Sequence, residues 1–521
     1  MSKDKKLALI SVSDKTDLAA LAKGIKSFGF DIVSTGGTAE FLRKAGIKVI
    51  EVQELTGYPK MLDGRVKSLH PAVFSGILAD RSKKSHMKDL KTYKIRPIDI
   101  VVCNLYPFEQ VTSRPKFSHD EAIENIDIGG PSMVRAAAKN YKDVAIIVDP
   151  ADYKSILAEL RKKHGKLSFE TKEMLAGKAF SHTKRYDSLI SLYFKSRQKK
   201  EGEQTLPKDI DVFIEKIQDL RYGENPHQRA AFYRDIGSKG ACIADIKQLH
   251  GKELSFNNIY DIDSAWQIVN YFALPTVAII KHTNPCGVGQ ADKIEYAYKK
   301  AFASDPVSAF GSVIAANRTV NEEMARAMGD LFVEAIVAPE FDKKAIRILQ
   351  QKKNLRVIEM GKDSINKGCT GYDFKRVRGG FLVQDPDKLE LSVSDIKVVS
   401  RKAPSVAEME DLFFAWGVVK YVKSNAIVVA KGRQTLGIGA GQMSRVDSVE
   451  IALKKAGTLV KGAVLASDAF FPFRDSVDLA AKAGISAIME TGGSIRDPEV
   501  IAAANEHNIA LVFTGRRHFR H

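Results

Sequence analysis

Short apolar runs recur along this chain, separated by stretches in which apolar positions fall three or four apart, and the two rhythms predict alternating strands and amphipathic helices. Near the N-terminus KLALISVS reads as a buried strand, the segment from about Lys15 to Gly29 as a helix, and FDIVS as a second strand running into a helix that stops at Gly46. IDIVVCNLYPF and VAIIVD continue the series, so the first ~195 residues carry the pattern of an α/β domain. The polar stretch SRQKKEGEQTLPKD, Ser196 to Asp209, has no apolar periodicity and reads as a linker. This divides the chain into a domain over residues 1–200 and a region over 201–521. Beyond the linker, strands are expected at PTVAIIKH, SVIAANR, EAIVAPEF, GAVLASD and ISAIME. An internal echo is visible there. Ala303-Ser304-Asp305 follows CGVG and IEYAYKKAF, and Ala466-Ser467-Asp468 follows GIGAGQ and SVEIALKKAG, which predicts two related α/β halves.

At 521 residues, with 44% hydrophobic and 27% charged residues, the chain is long enough for two or three buried cores and has a globular composition. No apolar run reaches the roughly 18 residues a membrane span needs, and the start MSKDKKLALISVSD is too weakly apolar for a signal peptide, so a cytoplasmic protein is expected. The four cysteines, Cys103, Cys242, Cys286 and Cys369, are dispersed and form no CxxC pair. We therefore expect neither a disulfide framework nor a cysteine-based zinc site. The net charge of +17 suits nucleic acid or pockets for phosphorylated and carboxylated small molecules. Without an aromatic-interleaved basic strip, the second reading is the better one.

Candidate chemistry is concentrated in a few segments. DIVSTGGTAEFLRKAG runs from a strand through Ser34-Thr35-Gly36-Gly37-Thr38 into a helix, and SVSDK, with Ser11, Ser13 and Lys15, ends the first strand in a similar turn. Glycines, hydroxyls and a helix N-terminus together suit a phosphate. In MLDGRVKSLHP, Arg65 and Lys67 alternate, and an extended segment would aim both cations at one anion. VVCNLYPF puts Cys103, Asn104 and Tyr106 past the end of a buried strand, and NIDIGGPSMVRAAAKN supplies Asp127, a Gly-Gly-Pro helix start and Lys139. IKHTNPCGVG packs a lysine, a histidine and a cysteine into one strand end, open to four readings: metal site, cysteine nucleophile, phosphate loop or acid–base pair. No second ligand cluster supports a metal, Cys286 lacks a local nucleophile signature, and GVG is too short to establish a phosphate loop. Lys281 and His282, partly desolvated at a strand end, remain as an acid–base pair or as a structural histidine and its neighbour. GIGAGQ lacks the spacing of a dinucleotide fingerprint.

The segments STGGTA, DGRVKSLHP, CNLYPF, DIGGPSMVRAAAKN, RYGENPHQ, KHTNPCG, SDPVSAFGS, KSNAIV, GIGAGQMSR, SDAFFPFRD and RRHFRH, in this order, resemble the bifunctional purine-biosynthesis family that joins AICAR transformylase to IMP cyclohydrolase. The resemblance implies a methylglyoxal-synthase-like cyclohydrolase domain followed by a transformylase region of two cytidine-deaminase-like α/β subdomains. It implies 10-formyltetrahydrofolate as cosubstrate, AICAR and its formylated product as ligands, no metal in the chemistry, and a homodimer with composite transformylase sites. A monovalent cation stays open.

By the same resemblance, Lys67, Tyr106, Asp127 and Lys139 surround the cyclising group, with Arg65, Cys103 and Asn104 nearby and the turns Ser11 to Lys15 and Ser34 to Thr38 holding the phosphate. Lys67 and Tyr106 are expected to share oxyanion stabilisation and proton transfer. In the second region His282 is implied as general base, Lys281 as oxyanion or leaving-group partner, and Asn425 as the group orienting the formyl oxygen. Arg221, Tyr222, Arg445 and Arg517 fit the nucleotide, and Phe470 and Asp475 the folate. Two other classes compete: a nucleotide-sensing regulatory module at the N-terminal end, and a nucleic-acid-binding protein using the positive charge.

Overall fold

The computed structural model describes residues 5–198, 205–365 and 367–521, and the chain forms two compact units, Met1–Phe213 and Ile214–His521. The first is built on five parallel strands in the order Ile50–Glu51, Asp31–Ser34, Leu7–Ser11, Ile100–Cys103 and Ala145–Ile147. Helices cover both faces. Leu7, Leu9 and Val101 pack into one apolar cluster and Ala8, Ile10, Ile100 and Val102 into the other, so strands such as IVVC are apolar throughout instead of alternating.

From Leu7–Ser11 the chain lays strands outward on one side, then returns to the other side with Ile100–Cys103. The strand order reverses between these two neighbours, and the crevice beyond their carboxyl ends is where such sheets hold ligands. The helix expected up to Gly29 spans Leu18–Ser27, and the next, Gly36–Lys44, starts directly from its strand and stops before Gly46, whose φ is 78°. The long helix Phe169–Gln198 runs into the stretch expected to be linker, of which residues 199–204 lie outside the described residues.

The second unit holds two six-stranded sheets with the same plan. In each, an antiparallel hairpin (Thr276–Lys281 with Asn284–Gln290; Ile427–Ala430 with Thr435–Gly439) pairs antiparallel with a third strand, two parallel strands follow, and an antiparallel strand closes the edge. The expected duplication is therefore present, but the Ala-Ser-Asp echo marks it out of register. Val313 lies opposite Ile280 as Val464 lies opposite Ala430, so Ala466-Ser467-Asp468 corresponds to Ala315-Ala316-Asn317, while Ala303-Ser304 ends a helix. Helices Phe256–Tyr271 and Val406–Val419 contribute to one large core with residues from both sheets.

The same duplication explains the GVG and GIG segments. A Cβ on Gly287 or Gly289 would stand 2.1 or 2.5 Å from backbone oxygens of helix Ile294–Ser304, and one on Gly437 or Gly439 would stand 2.0 Å from backbone oxygens of helix Arg445–Ala456. These glycines let a strand press against a helix, and neither segment is a phosphate loop.

One expectation fails outright. Cys242 and Cys369, 127 residues apart, form a disulfide with Cα atoms 5.2 Å apart. An antiparallel bridge between Gly240 and Cys369 and the Thr370 N–H donated to the Lys239 carbonyl bring the two segments together, a long-range pairing invisible to spacing rules. Among the described residues no helix is long and apolar enough to cross a membrane.

Candidate functional site

In the first unit, the polar groups gather at the crevice. The Asn104 carboxamide reaches across from the end of Ile100–Cys103 and takes the N–H groups of Ser13 and Asp14 at 2.6 and 2.9 Å, returning a hydrogen bond to the Asp14 carbonyl at 3.1 Å. It shapes the Ser11–Lys15 turn and has little left for a ligand. The hydroxyls of the neighbouring turn are similarly engaged. Ser34 donates to the Ile10 carbonyl at 2.6 Å, Thr38 to the Val12 carbonyl at 2.9 Å, and Thr35 lies 3.2 Å from the Ser11 hydroxyl. Buried hydroxyls thus join the two turns, while Gly36 and Gly37 stay exposed at the start of helix Gly36–Lys44, with no side chain capping it. That end leaves its first backbone N–H groups without a side-chain cap, the arrangement an anion favours.

Lys67 lies against it. A Cβ on Gly36, whose φ is 46°, would stand 3.2 Å from the Lys67 Nζ, so glycine lets the ammonium rest on the backbone. Burial holds the Lys67 ammonium below its ordinary value, against the opposing pull of Asp127. Asp127 accepts the Gly130 N–H at 2.8 Å, and burial raises its carboxyl despite donors from Gly130, Tyr106 and Gly129. Burial, then the Asp127 charge, raises the Tyr106 phenol, which remains partly exposed. The lysine shifted down and the carboxyl shifted up both move toward the neutral range, as suits groups that exchange protons, while the phenol shifted up keeps its proton and can donate a hydrogen bond.

Other sequence candidates fall differently. The Arg65–Lys67 segment is not extended: Leu62–Gly64 is a 3-10 turn followed by further turns, so the two cations part, and exposed Arg65 pairs with Glu124. Cys103 is fully buried against the Gly130 carbonyl, its thiol pushed up by burial, and it offers no nucleophile. Lys139 is exposed in the last turn of helix Gly129–Lys139, about 15 Å along the axis from its start, so this chain does not bring it to Asp127.

In the second unit Lys281 ends a buried strand and donates to the Phe310 carbonyl at 2.9 Å. His282 and Thr283 form the hairpin turn with φ of 53° and 63°. His282 is exposed, against the expectation of desolvation, because the turn carries it beyond the strand. Asn284 closes the turn, and its Oδ1 accepts the Lys423 N–H at 3.0 Å, joining it to the segment Lys423-Ser424-Asn425 of the other half. The Ser424–Asn425 peptide is cis.

Asn425 Nδ2 donates to the carbonyls of Gln442 and Met443, and its Oδ1 accepts from Arg445 at 2.7 Å. Arg445 also reaches Ser467 at 2.8 Å and the fully buried Asp468 at 2.5 Å, and Asp468 accepts from Ser424. Asn425, Arg445, Ser467, Asp468 and Ser424 thus form one network in the second half, and the Asn284–Lys423 hydrogen bond ties the turn after Lys281 and His282 to the segment that carries Asn425.

The remaining candidates are peripheral to it. Phe470 is partly exposed in the loop after Asp468, and Asp475 accepts the Ser476 N–H at 2.6 Å at the start of helix Asp475–Ala483. Arg221 lies over its neighbour Tyr222 in the loop between strands Ile214–Leu220 and Ala230–Asp235. Arg517 is exposed over Phe519, but the tail around it is pinned: the His518 N–H donates to the Asp468 carbonyl, and Ser424 and Arg520 exchange hydrogen bonds. Cys286 is partly buried, its thiol raised to about 11 by burial.

Two residues that sequence reasoning missed stand out. Asp468 lay inside the quoted SDAFFPFRD motif, and its position after an apolar strand was its only signal. Asp261, which accepts the Thr283 N–H at 2.7 Å, had none beyond a cap-like Ser255 upstream.

Known proteins resemble this chain over nearly its whole length. A family model described as the AICARFT/IMPCHase bienzyme matches residues 137–455, and one described as an MGS-like domain matches residues 17–132. Curated relatives named bifunctional purine biosynthesis protein PurH include one from Acetivibrio thermocellus, 53% identical over 516 residues, and one from Caldicellulosiruptor bescii, 51% identical over 518 residues. Each alignment covers 99% of this chain and 100% of the relative. This chain belongs to the AICARFT/IMPCHase bienzyme family, with an MGS-like domain in its N-terminal part.

Proposed function

We propose that this chain carries out two consecutive reactions of purine synthesis: formyl transfer from 10-formyltetrahydrofolate to AICAR in the second unit, and dehydrative closure of the formylated ribonucleotide to IMP in the first. The observation that carries this reading is the full-length similarity to PurH proteins, joined to a separate proton-transfer cluster in each unit.

In formyl transfer the 5-amino group of AICAR is a poor nucleophile, its lone pair delocalised into the ring. His282 takes the amine proton as the new N–C bond forms, Lys281 stabilises the oxyanion, and Asn425 orients the formyl oxygen by turning one Nδ2 hydrogen to it from the Gln442 or Met443 carbonyl. The C–N bond to the folate then breaks and its nitrogen takes a proton, leaving tetrahydrofolate. In cyclisation the carboxamide nitrogen attacks the formyl carbon. Lys67 and Tyr106 stabilise the oxyanion and protonate it to a hydroxyl while Asp127 receives the proton lost by the attacking nitrogen. The hydroxyl then takes a second proton and leaves as water as the formamido N–H gives up its own and the ring C=N bond forms.

Gly36 and Gly37 with the Ser11–Lys15 turn hold the ribonucleotide phosphate; Arg445, Arg221, Tyr222 and Arg517 serve the AICAR nucleotide and Phe470 and Asp475 the folate. The duplicated halves are cytidine-deaminase-like subdomains. The protein acts in the cytoplasm as a homodimer, a reading supported by apolar residues left open on two-stranded ribbons, among them Ile214, Ile217, Phe381 and Leu382.

The test is a paired ultraviolet assay of tetrahydrofolate release and IMP formation. Lys67→Ala should release tetrahydrofolate while accumulating formylated ribonucleotide, and His282→Ala should still cyclise supplied formylated ribonucleotide while failing to make it. Loss of both activities in either well-folded variant would refute the division of labour.

A further inference from the structure

The turn bearing His282 is held by a carboxylate from another element. Asp261, on helix Phe256–Tyr271, accepts the Thr283 N–H at 2.7 Å, directly beside His282. Both turn residues are left-handed, with φ of 53° and 63°, a conformation that non-glycine residues keep only when their surroundings enforce it. The Thr283 N–H held by this half-buried carboxylate supplies that enforcement.

The other half repeats the device. Asp411 stands six residues past its helix cap Ser405, as Asp261 stands six past Ser255, and it accepts the N–H groups of Gly432 and Arg433 at 2.8 and 2.6 Å. Those residues form the matching hairpin turn, with φ of 61° and 55°. There glycine occupies the place of His282, so the same clamp holds a turn without an imidazole. The pair separates the clamp's general task, closing the hairpin, from a local one: a clamp that fixes the φ of His282 also fixes the direction in which its side chain leaves the backbone.

We propose that Asp261 is a positioning residue for formyl transfer: by anchoring the His282–Thr283 backbone it aims the imidazole at the AICAR amine without touching substrate itself. This rests on the general-base reading of His282 given above. Asp261 acts on the rate and not on nucleotide affinity, since the ribonucleotide-binding groups lie on other segments.

The experiment uses the full-length protein and steady-state formyl transfer, with cyclisation of supplied formylated ribonucleotide as the internal measure of intact folding. Asp261→Ala should lower kcat by ~10–100-fold, the cost expected of a misaimed catalytic group, with the KM for AICAR within about twofold and cyclisation unchanged. Asp261→Asn, which keeps the shape and one acceptor oxygen, should lose less. Asp411→Ala opens the twin turn and should leave the formyl-transfer kcat within about twofold. In a His282→Ala background, adding Asp261→Ala should cost nothing further, because a misaimed base and an absent base are equivalent.

Equal kcat losses from Asp261→Ala and Asp411→Ala, or an additive loss in the His282→Ala background, would overturn the proposal in favour of plain structural support. Wild-type kcat in Asp261→Ala beside an inactive His282→Ala sinks the clamp alone. Wild-type kcat in His282→Ala sinks the general-base reading and, with it, the role assigned to Asp261.

Discussion

Replacing Arg445 with methionine keeps an unbranched apolar stem and removes the guanidinium and its charge. In the native chain Arg445 and Asp468 are 7% and 0% exposed, and the guanidinium reaches Asp468 at 2.5 Å, Ser467 at 2.8 Å and Asn425 at 2.7 Å. The variant leaves the carboxylate buried with only the Ser424 hydroxyl and no opposing charge near it. Breaking a buried pair from one side costs about 3–5 kcal/mol, most of it the stranded charge and not the lost attraction. At roughly 2–4 °C per kcal/mol, the melting temperature should fall on the order of 10 °C. Scanning calorimetry on full-length protein would measure it. The reasoning makes a sharper demand on the double variant. Adding Asp468→Asn to Arg445→Met neutralises the stranded group, and at least half of the lost stability should return, although formyl transfer stays impaired because Asn425 has lost its orienting donor. A single variant that melts within about 2 °C of wild type, or a double variant no more stable than the single one, would refute the account of this centre as an ion pair held by mutual need.

Further expectations follow from other buried groups. Glu490 is fully buried, Oε2 accepting the Phe471 N–H at 2.6 Å and Oε1 without a partner; burial raises its carboxyl to about 8. Because the folded value lies above the unfolded one, its contribution is fully present below about pH 4.5 and is lost as pH rises to about 8; chemical denaturation of Glu490→Gln should show a stability gain over wild type that is absent at pH 4.5 and grows to pH 8. Gly439→Ala places a methyl carbon 2.0 Å from the Ser448 carbonyl oxygen and should lower stability by about 1–3 kcal/mol in urea titration, whereas Gly37→Ala, where the added carbon meets nothing within 4 Å, should leave the midpoint unchanged. Asn104→Ala frees the N–H groups of Ser13 and Asp14 and should raise the KM for the formylated ribonucleotide several-fold with a smaller change in kcat, measured by the rate of IMP formation.

The central strands of the three larger sheets were legible because each is buried on two faces and must be apolar along its length, as LALIS, IVVC and IVVA are, whereas exposed ribbons such as Ile214–Leu220 carry no such signal. The duplication was legible in outline and misregistered in detail, since the echoing Ala-Ser-Asp triplets serve a strand end in one half and a helix end in the other. Lys281 and His282 were visible as chemistry at a strand end. Their exposure was not, because it depends on a two-residue turn held by Asp261, a partner more than twenty positions away. The hydroxyls of Ser34, Thr35 and Thr38 looked like phosphate donors from composition, and the fold uses them to bind two turns together, a distinction that rests on which backbone carbonyl happens to lie opposite. The Cys242–Cys369 bond escaped for the same reason: it depends on a bridge between distant segments.

The hydrogen bond from the Lys423 N–H to Asn284 carries a consequence for assembly. His282 comes from one copy of the duplicated fold and Asn425 and Arg445 from the other, and the copies are further knit where Thr435 exchanges hydrogen bonds with the Val288 backbone. On the reading proposed above, neither copy alone holds all the groups for formyl transfer. A nascent chain that has folded only the first copy would then be catalytically silent, with competence arising when the second copy docks beside it. Formyl-transfer activity would thus report how the two copies are registered against each other.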